Sequence, residues 1–276
     1  MHTRVSARLG VLIASSALWL AGAASAGVPS SWAEGALDEG DARVEARLLL
    51  HPDPAAAGHV RVGVLFSLDP GWHLYWKNPG ESGLPTRLAW RGGAAGPLAW
   101  PAPTAFEEGE GLVSYGYEGH VLLASELRLD PDARAVGVDV DLLACRTSCI
   151  PARLSLERSL DAVDSGEAAD AVRSLFQLHE ESLPRSAEAL GVKLEASLAG
   201  ASAPAEIALS VLPCDGAGAS EACRALAAPP AGPVFFSEHE GLRVLEVRDH
   251  PQRTGGLLVR LEPETGGSGS LRGVLA

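Results

Sequence analysis

The most regular pattern in the chain is Val136-Gly-Val-Asp-Val-Asp-Leu-Leu-Ala-Cys-Arg-Thr-Ser-Cys-Ile-Pro151. Apolar residues occupy every second position from Val136 to Leu142, so they share one face of a predicted half-buried β-strand. Asp139 and Asp141 lie on the opposite face, which the pattern marks as the less buried one. Cys145 falls on the face of the two aspartates, and we therefore expect its thiol to lean toward solvent.

The same alternation recurs at 44–50, 60–68 and 121–129, and clusters of proline and glycine separate the strands at 70–71, 79–85, 92–97 and 101–103. The chain has 31 glycines and 19 prolines, and only 5% of its residues are aromatic, which favours short elements joined by frequent turns. This pattern predicts an all-β antiparallel sandwich rather than alternating strands and helices.

Residues 166–181 carry apolar side chains at helical spacing and are followed by Pro184, so they form the best helix candidate. A second set of short strands is predicted after it, at 192–198, 207–212, 234–236, 242–247 and 257–261. We therefore expect a first domain over 27–163, a helical linker over 164–190 and a second small β-sandwich domain over 191–276.

The first 26 residues have the pattern of a signal peptide. Arg4 and Arg8 precede an apolar stretch over 11–21, and Ala24-Ser-Ala26 fits a cleavage site, which would leave Gly27 as the first mature residue. The apolar stretch is shorter than the roughly 20 residues that a membrane-spanning helix needs. We expect an exported protein, located where disulfides persist.

The net charge is −13, from 22 basic and 35 acidic residues, which argues against a nucleic-acid partner. The sequence contains no glycine-rich phosphate loop, G-x-S-x-G elbow or H-E-x-x-H helix, and we expect no diffusible cofactor and assign no metal ligand. Nine of the fourteen aromatic residues fall between Phe66 and Tyr117, which predicts a sandwich core or, for the tyrosines, a shared polar pocket.

Cys145 and Cys149 would stand about 13 Å apart on a straight strand, too far for a disulfide, so a bond between them requires a tight hairpin. A bridge across about five residues stabilises a fold by only about 2 kcal/mol. The spacing leaves three possibilities open: a redox pair, a structural bridge, or half of a metal site whose other ligands have no evident source. Cys214 and Cys223, eight residues apart, are expected to form a structural disulfide.

Several motifs in the first half occur in a characteristic order. They are the stretch Gly71-Trp-His-Leu-Tyr-Trp-Lys-Asn-Pro-Gly-Glu-Ser-Gly-Leu-Pro85, then Trp100-Pro-Ala-Pro103, Tyr115-Gly-Tyr-Glu-Gly119 and Cys145-x-x-x-Cys-Ile-Pro151. The combination resembles the N-terminal periplasmic domain of the DsbD-like thiol:disulfide interchange proteins, especially the ScsB type. Val234-Phe-Phe236, Gly241-Leu242, Pro251-Gln252 and Leu271-Arg-Gly-Val-Leu275 resemble the second β domain of the ScsB-type periplasmic region.

The resemblance implies two immunoglobulin-like sandwiches joined by the short helical linker. Cys145 and Cys149 match the redox pair, and Tyr75 matches a tyrosine beside the site. His73 replaces a second tyrosine of the better-known members. Phe106-Glu107-Glu108 lies where the family has a cap loop that shields the thiols. A positive Arg146 would lower the pKa of a nearby thiol, and Glu107, Glu108, Asp139 and Asp141 would raise it if close.

The resemblance further implies a reductase-like module that takes electrons from a membrane-embedded protein and passes them to oxidised periplasmic thiol–disulfide proteins. This sequence lacks the membrane relay of the full-length family, so either a separate membrane protein donates the electrons, which we expect, or the chain is a solitary copy with an altered role. By analogy, Cys149 attacks and Cys145 resolves. Two alternatives are an exported binding or scaffold module with structural disulfides, and a copper-tolerance-associated thiol protein.

Overall fold

A computed structural model describes residues 8–9, 33–39, 42–53, 57–162, 164–189, 194–198, 205–211, 234–239, 242–249, 256–263 and 272–275. The strands in this part of the chain are β1 (Arg8–Leu9), β2 (Ala33–Glu39), β3 (Ala42–Leu50), β4 (His59–Leu68), β5 (His73–Gly80), β6 (Arg87–Arg91), β7 (Gly93–Ala95), β8 (Thr104–Glu107), β9 (Val113–Glu118), β10 (His120–Leu129), β11 (Ala135–Cys145), β12 (Cys149–Ser159), β13 (Arg185–Ser186), β14 (Leu194–Leu198), β15 (Ala205–Val211), β16 (Phe235–Ser237), β17 (Leu242–Asp249), β18 (Gly256–Pro263) and β19 (Gly273–Leu275). The helices are α1 (Glu167–Ser182) and a 3-10 turn at Gly109–Gly111.

Two antiparallel sheets form the first half of the fold. One sheet has the strand order β2-β3-β4-β10-β7, and the other has the order β12-β11-β5-β9-β8, with β6 also paired to β11. The alternating apolar residues of both sheets meet in one core, as Val64 and Phe66 do with Val138 and Val140. The predicted all-β, immunoglobulin-like fold is confirmed, and the four strands predicted from alternation correspond to β3, β4, β10 and β11.

The predicted helix is confirmed as α1, displaced by one residue from the predicted range. It begins after Gly166 and ends before Leu183, where Pro184 follows. Val172 and Phe176 are buried against Leu49 and Leu122 on the outer face of the first sheet. Because both faces of β10 are covered, its sequence reads as a continuous apolar run at residues 121–124.

The second half contains a four-stranded sheet with the order β14-β15-β18-β17 and a pair formed by β16 and β19. Phe236 of β16 and Val274 of β19 belong to the core of the first two sheets. The Asn78 side-chain amide, on β5, donates hydrogen bonds to the carbonyls of Ser237 (2.9 Å) and His239 (3.1 Å). The β16 segment therefore packs directly against β5.

The signal peptide and the Cys214–Cys223 pair lie outside the described residues, apart from Arg8 and Leu9. In the described part of the chain, the helices are too short or too polar to cross a bilayer.

Candidate functional site

The two cysteines close the end of a long hairpin. β11 and β12 pair without a break from Ala135, opposite Ser159, to Cys145, opposite Cys149. In the turn, the Arg146 amide donates to the Ser148 carbonyl at 3.1 Å. The Cα atoms of Cys145 and Cys149 are 4.1 Å apart, and the sulfurs are bonded at 2.07 Å. The tight hairpin that a disulfide requires is thus present.

The expected exposure of Cys145 is wrong. Cys145 is only 1% exposed, and it is Cys149 that faces solvent. The face that carries Asp139 and Asp141 is open along the middle of β11, as the alternation predicted. At Cys145, however, strand β5 joins the sheet and places His73 directly opposite. At this end of the sheet, where His73 packs with Tyr75 and Phe106, one cysteine is buried and the other is accessible.

His73 is at the centre of this aromatic cluster. Its ring stacks on Phe106 with centroids 4.5 Å apart, and it meets the Tyr75 ring edge-on at 5.1 Å. Its Nε2 lies 3.2 Å from Oε1 of Glu108. Burial lowers the pKa of His73, against the opposing effect of the Glu108 charge. His73 and Glu108 are therefore a closely packed titratable pair beside the buried cysteine.

Tyr75 reaches the exposed cysteine. Its hydroxyl oxygen is 4.0 Å from Sγ of Cys149, at the limit of a weak hydrogen bond to sulfur. Burial, reinforced by the negative charge of Glu108, raises the pKa of Tyr75 to about 12. The hydroxyl therefore stays protonated at neutral pH and is available as a donor toward the sulfur.

The segment expected to cap the site divides into inward and outward residues. Phe106 lies on β8, which pairs with β9, and reaches the site by stacking on His73. Glu108 accepts a hydrogen bond from the Ser114 hydroxyl at 2.7 Å, which orients its carboxylate. Glu107 is exposed and makes no described contact with the cluster. The structure thus brings Phe106 and Glu108 to the site and leaves Glu107 outside it.

The charges near the turn are distributed differently from the expectation. The exposed guanidinium of Arg146 lies 5.2 Å from the centre of the Trp72 ring. Asp139 pairs with Arg91, whose hydrogen bond lowers the pKa of that carboxyl. Asp141 pairs with Arg153 at 2.5 Å. Both aspartates are thus partnered by arginines, and the carboxylate in contact with His73 is that of Glu108.

Sequence reasoning missed the loop between β5 and β6. At Gly83, whose φ is +93°, a Cβ atom would come within 2.2 Å of the Tyr75 ring. The Thr86 hydroxyl and amide both donate to the Tyr75 carbonyl, at 3.0 and 3.4 Å. The loop is thus held against Tyr75. The Gly-Glu-Ser-Gly-Leu-Pro run at 80–85 could have indicated this contact, because glycine is common where the backbone comes close to another group.

Within the described ranges, no three histidine, cysteine, aspartate or glutamate side chains are grouped closely enough to hold a metal ion.

The fold and the site together define a β-sandwich domain that carries a disulfide, half buried and half exposed, at the end of a hairpin. A family model described as thiol:disulfide interchange protein DsbD, N-terminal, matches residues 46–160. Residues 46–160 are therefore similar to the DsbD N-terminal domain, a family described by thiol:disulfide interchange.

Among solved structures, the N-terminal periplasmic domain of ScsB from Proteus mirabilis is similar to this chain, with 20% identity and a TM-score of 0.63. The match covers 90% of this chain and 98% of that chain, and it shows a shared fold. The yeast GGA1 GAE domain is 15% identical over 45% of this chain and 96% of that chain, but its TM-score of 0.23 carries no argument. No curated protein matches the sequence.

Proposed function

We propose that this protein is a periplasmic thiol:disulfide interchange module that transfers two electrons through Cys145 and Cys149. The observation that carries the proposal is the unequal exposure of one disulfide, with Cys145 buried and Cys149 open to solvent. A purely structural bridge has no need of an accessible sulfur. Exchange needs one, because a thiolate must reach the sulfur it attacks.

The exposed cysteine begins each half of the reaction. In the reduced protein, the Cys149 thiolate attacks one sulfur of the partner's disulfide, whose other sulfur leaves as a thiolate and takes up a proton. The Cys145 thiolate then attacks Cys149 in the mixed disulfide. The Cys145–Cys149 bond forms again, and the partner is released with both thiols reduced.

A dithiol donor restores the reduced state by the reverse sequence. The donor's thiolate attacks the exposed sulfur of Cys149, and Cys145 leaves as a buried thiolate that must be protonated. The second donor thiol then releases Cys149, and the donor is left oxidised. We propose a separate membrane-embedded protein as the donor and an oxidised periplasmic thiol–disulfide protein as the acceptor.

Three features support the periplasmic assignment. The first 26 residues have the pattern of a cleavable signal peptide. The structurally similar ScsB domain is itself described as periplasmic. The disulfide is also the state expected for paired cysteines in an oxidising compartment.

Single-cysteine variants test the order of attack. With oxidised glutathione as the probe, Cys145→Ser retains the exposed thiol and should form a mixed disulfide at least about 10-fold faster than Cys149→Ser, whose remaining thiol is buried. Mass spectrometry of quenched samples measures both rates. Equal rates for the two variants would contradict the assignment of Cys149 as the attacking residue.

The reduction potential separates exchange from a structural role. For the Cys145–Cys149 pair, we expect a potential above about −300 mV, because inert structural disulfides of exported proteins lie below that value. The double variant Cys145→Ser/Cys149→Ser should keep the fold and lose electron transfer. A potential far below this limit, together with partial unfolding of the double variant, would instead identify a scaffold with a structural bridge.

A further inference from the structure

A groove of about 450 Å³ is lined by residues of β6, β11 and β12 and of the loop before β6, and its lining on β12 begins two residues after Cys149. Its lining includes Pro151 and Arg153, which follow Cys149 at alternate positions of β12 and share its exposed face. Successive residues on one face of a strand are about 7 Å apart. The Cα atom of Pro151, at this end of the groove, is therefore about 7 Å from the Cα atom of Cys149.

An apolar residue is held in place at one wall of the groove. Leu84 is 62% exposed, the largest exposed fraction among the large apolar side chains of the described residues. The loop that carries it is anchored at Gly83, which lies against the Tyr75 ring, and at Thr86, which donates to the Tyr75 carbonyl. Because the loop backbone is already held in place, a partner that binds Leu84 does not have to order the loop and avoids that entropy cost.

The rim of the groove carries more positive than negative charge. In the strand register Asp141 of β11 lies opposite Arg87 of β6 on one side and Arg153 of β12 on the other, and its carboxylate accepts a hydrogen bond from Arg153 at 2.5 Å. Arg153 is 81% exposed, and Arg87 is also exposed. Two guanidinium groups against one carboxylate make this rim locally basic in a protein whose net charge is −13. An acidic group is the complementary partner.

We propose that this groove binds an extended segment of the protein partner next to the partner's reactive cysteine. An apolar side chain of that segment packs on Leu84, Pro85 and Pro151, and an acidic side chain binds Arg87 and Arg153. This inference rests on the proposed exchange at Cys149 and adds the chemistry by which a partner is selected. The groove and the cysteine then act as one surface, with recognition beside the bond that is exchanged.

Two synthetic peptides test the selectivity. Each has one cysteine activated as a 2-thiopyridyl disulfide, flanked on both sides either by leucine and glutamate or by serine and lysine. The thiolate of the Cys145→Ser variant attacks the peptide sulfur, the new disulfide forms, and pyridine-2-thiolate leaves and is followed by its absorbance. We expect the leucine–glutamate peptide to react about 10-fold faster at low salt, and the preference to shrink as salt screens the charges.

Matched substitutions assign the preference to the groove. Leu84→Ser and Arg87→Glu, each added to Cys145→Ser, should remove most of the preference for the leucine–glutamate peptide, and the rate of each variant with the small neutral reagent 4,4′-dithiodipyridine corrects the peptide rates for any change in thiol reactivity. Leu178→Ser replaces another exposed leucine, 58% exposed on α1, and Arg128→Glu makes the same charge change at an exposed site on β10. Both controls should keep the preference.

The outcomes separate this inference from the proposed function. If both peptides react equally, or if the control substitutions act as strongly as those in the groove, the groove proposal is overturned while exchange at Cys149 stands. If neither the peptides nor dithiodipyridine nor oxidised glutathione reacts with Cys149, the proposed function itself is overturned.

Discussion

At the scale of single residues, position 73 connects the fold to the chemistry. His73 lies opposite Cys145 across two paired strands and contacts Phe106, Tyr75 and Glu108. In the proposed exchange, opening of the disulfide leaves Cys145 as a buried thiolate. On β5 the residue directly opposite Cys145 is His73, whose imidazole lies 3.2 Å from the Glu108 carboxylate. A histidine here therefore makes the site sensitive to pH in a range where a tyrosine would not titrate.

Replacing His73 by phenylalanine should weaken the pH dependence of stability. Burial lowers the pKa of His73, so the unfolded state binds the proton more readily than the folded state. Stability therefore falls as pH drops through the ordinary histidine pKa of about 6.5, and is not recovered at lower pH. Phenylalanine keeps an aromatic ring against Phe106 and removes this contribution.

Urea unfolding at about pH 7.5 and about pH 5.5 measures the effect. Between these values, His73→Phe should lose less stability than the unaltered protein. Some dependence will remain, because burial also lowers the pKa of His51 and of His179. His120→Gln, at an exposed position, is the matched control and should behave like the unaltered protein. If His73→Phe loses as much stability between the two pH values as the unaltered protein does, the titration of His73 is not coupled to folding.

At the scale of elements, the loop between β5 and β6 supports both the site and the groove. It packs against the Tyr75 ring at Gly83 and is bonded to the Tyr75 carbonyl at Thr86. Tyr75 in turn approaches the Cys149 sulfur. One anchored loop thus positions the tyrosine beside the disulfide and displays Leu84 next to it.

Gly83→Ala should be more damaging than the same change at a glycine in open space. Gly83 and Gly119 both have positive φ values, +93° and +65°, but no atom approaches within 4 Å of a Cβ added at Gly119. Both substitutions incur the left-handed backbone cost of about 1–2 kcal/mol. At Gly83 the clash with the Tyr75 ring adds further destabilisation, to a total of about 3 kcal/mol or more.

Chemical denaturation measures the free energy of unfolding of Gly83→Ala and of Gly119→Ala. The rate of thiol exchange with the leucine–glutamate peptide shows whether each substitution disturbs the groove. Gly83→Ala should slow this exchange, because Leu84 moves with the displaced loop, whereas Gly119→Ala should not. Equal destabilisation by the two alanines would mean that the loop moves away from Tyr75 at little cost.

At the scale of the whole molecule, packing crosses the predicted boundary between the two halves. Phe236 meets Tyr115 edge-on at 5.1 Å and Trp76 at 6.4 Å, inside the core of the first two sheets. Lys77 of β5 pairs with Glu238 at 2.7 Å. The domain limits at 27–163 and 191–276 remain a prediction, but the described contacts tie the β16 segment to the strand that carries Tyr75. We infer that the β16 segment stabilises strand β5 beside the disulfide.

Phe236→Ala should therefore destabilise the first half of the protein. Removing a buried phenylalanine costs about 3–5 kcal/mol, and the cavity would open beside Trp76. Tryptophan fluorescence during urea unfolding reports on this region, because four of the six tryptophans lie between residues 72 and 100. Val234→Ala, at a position 37% exposed, is the control and should change the midpoint little. An unaltered fluorescence transition in Phe236→Ala would show that the halves unfold independently.

The parts of the structure that depend on local periodicity were accessible from the sequence. Alternation predicted β3, β4, β10 and β11, helical spacing predicted α1, and the distance limit of a disulfide required the hairpin turn at 146–148. The predicted exposure of Cys145 was wrong for a physical reason. Alternation shows which face of a strand a residue occupies, but it does not show which other elements cover that face.

The sequence by itself determined an all-β chain with a cysteine pair at the end of its most regular strand, because side-chain period and turn residues act over a few neighbouring positions. Only the tertiary structure decided which sulfur is accessible, that His73 pairs with Glu108, and that Leu84 borders a basic groove. These properties arise where β5, β6, β8 and β11 meet, and strands far apart in the chain are brought together by burial of the shared core rather than by any local preference.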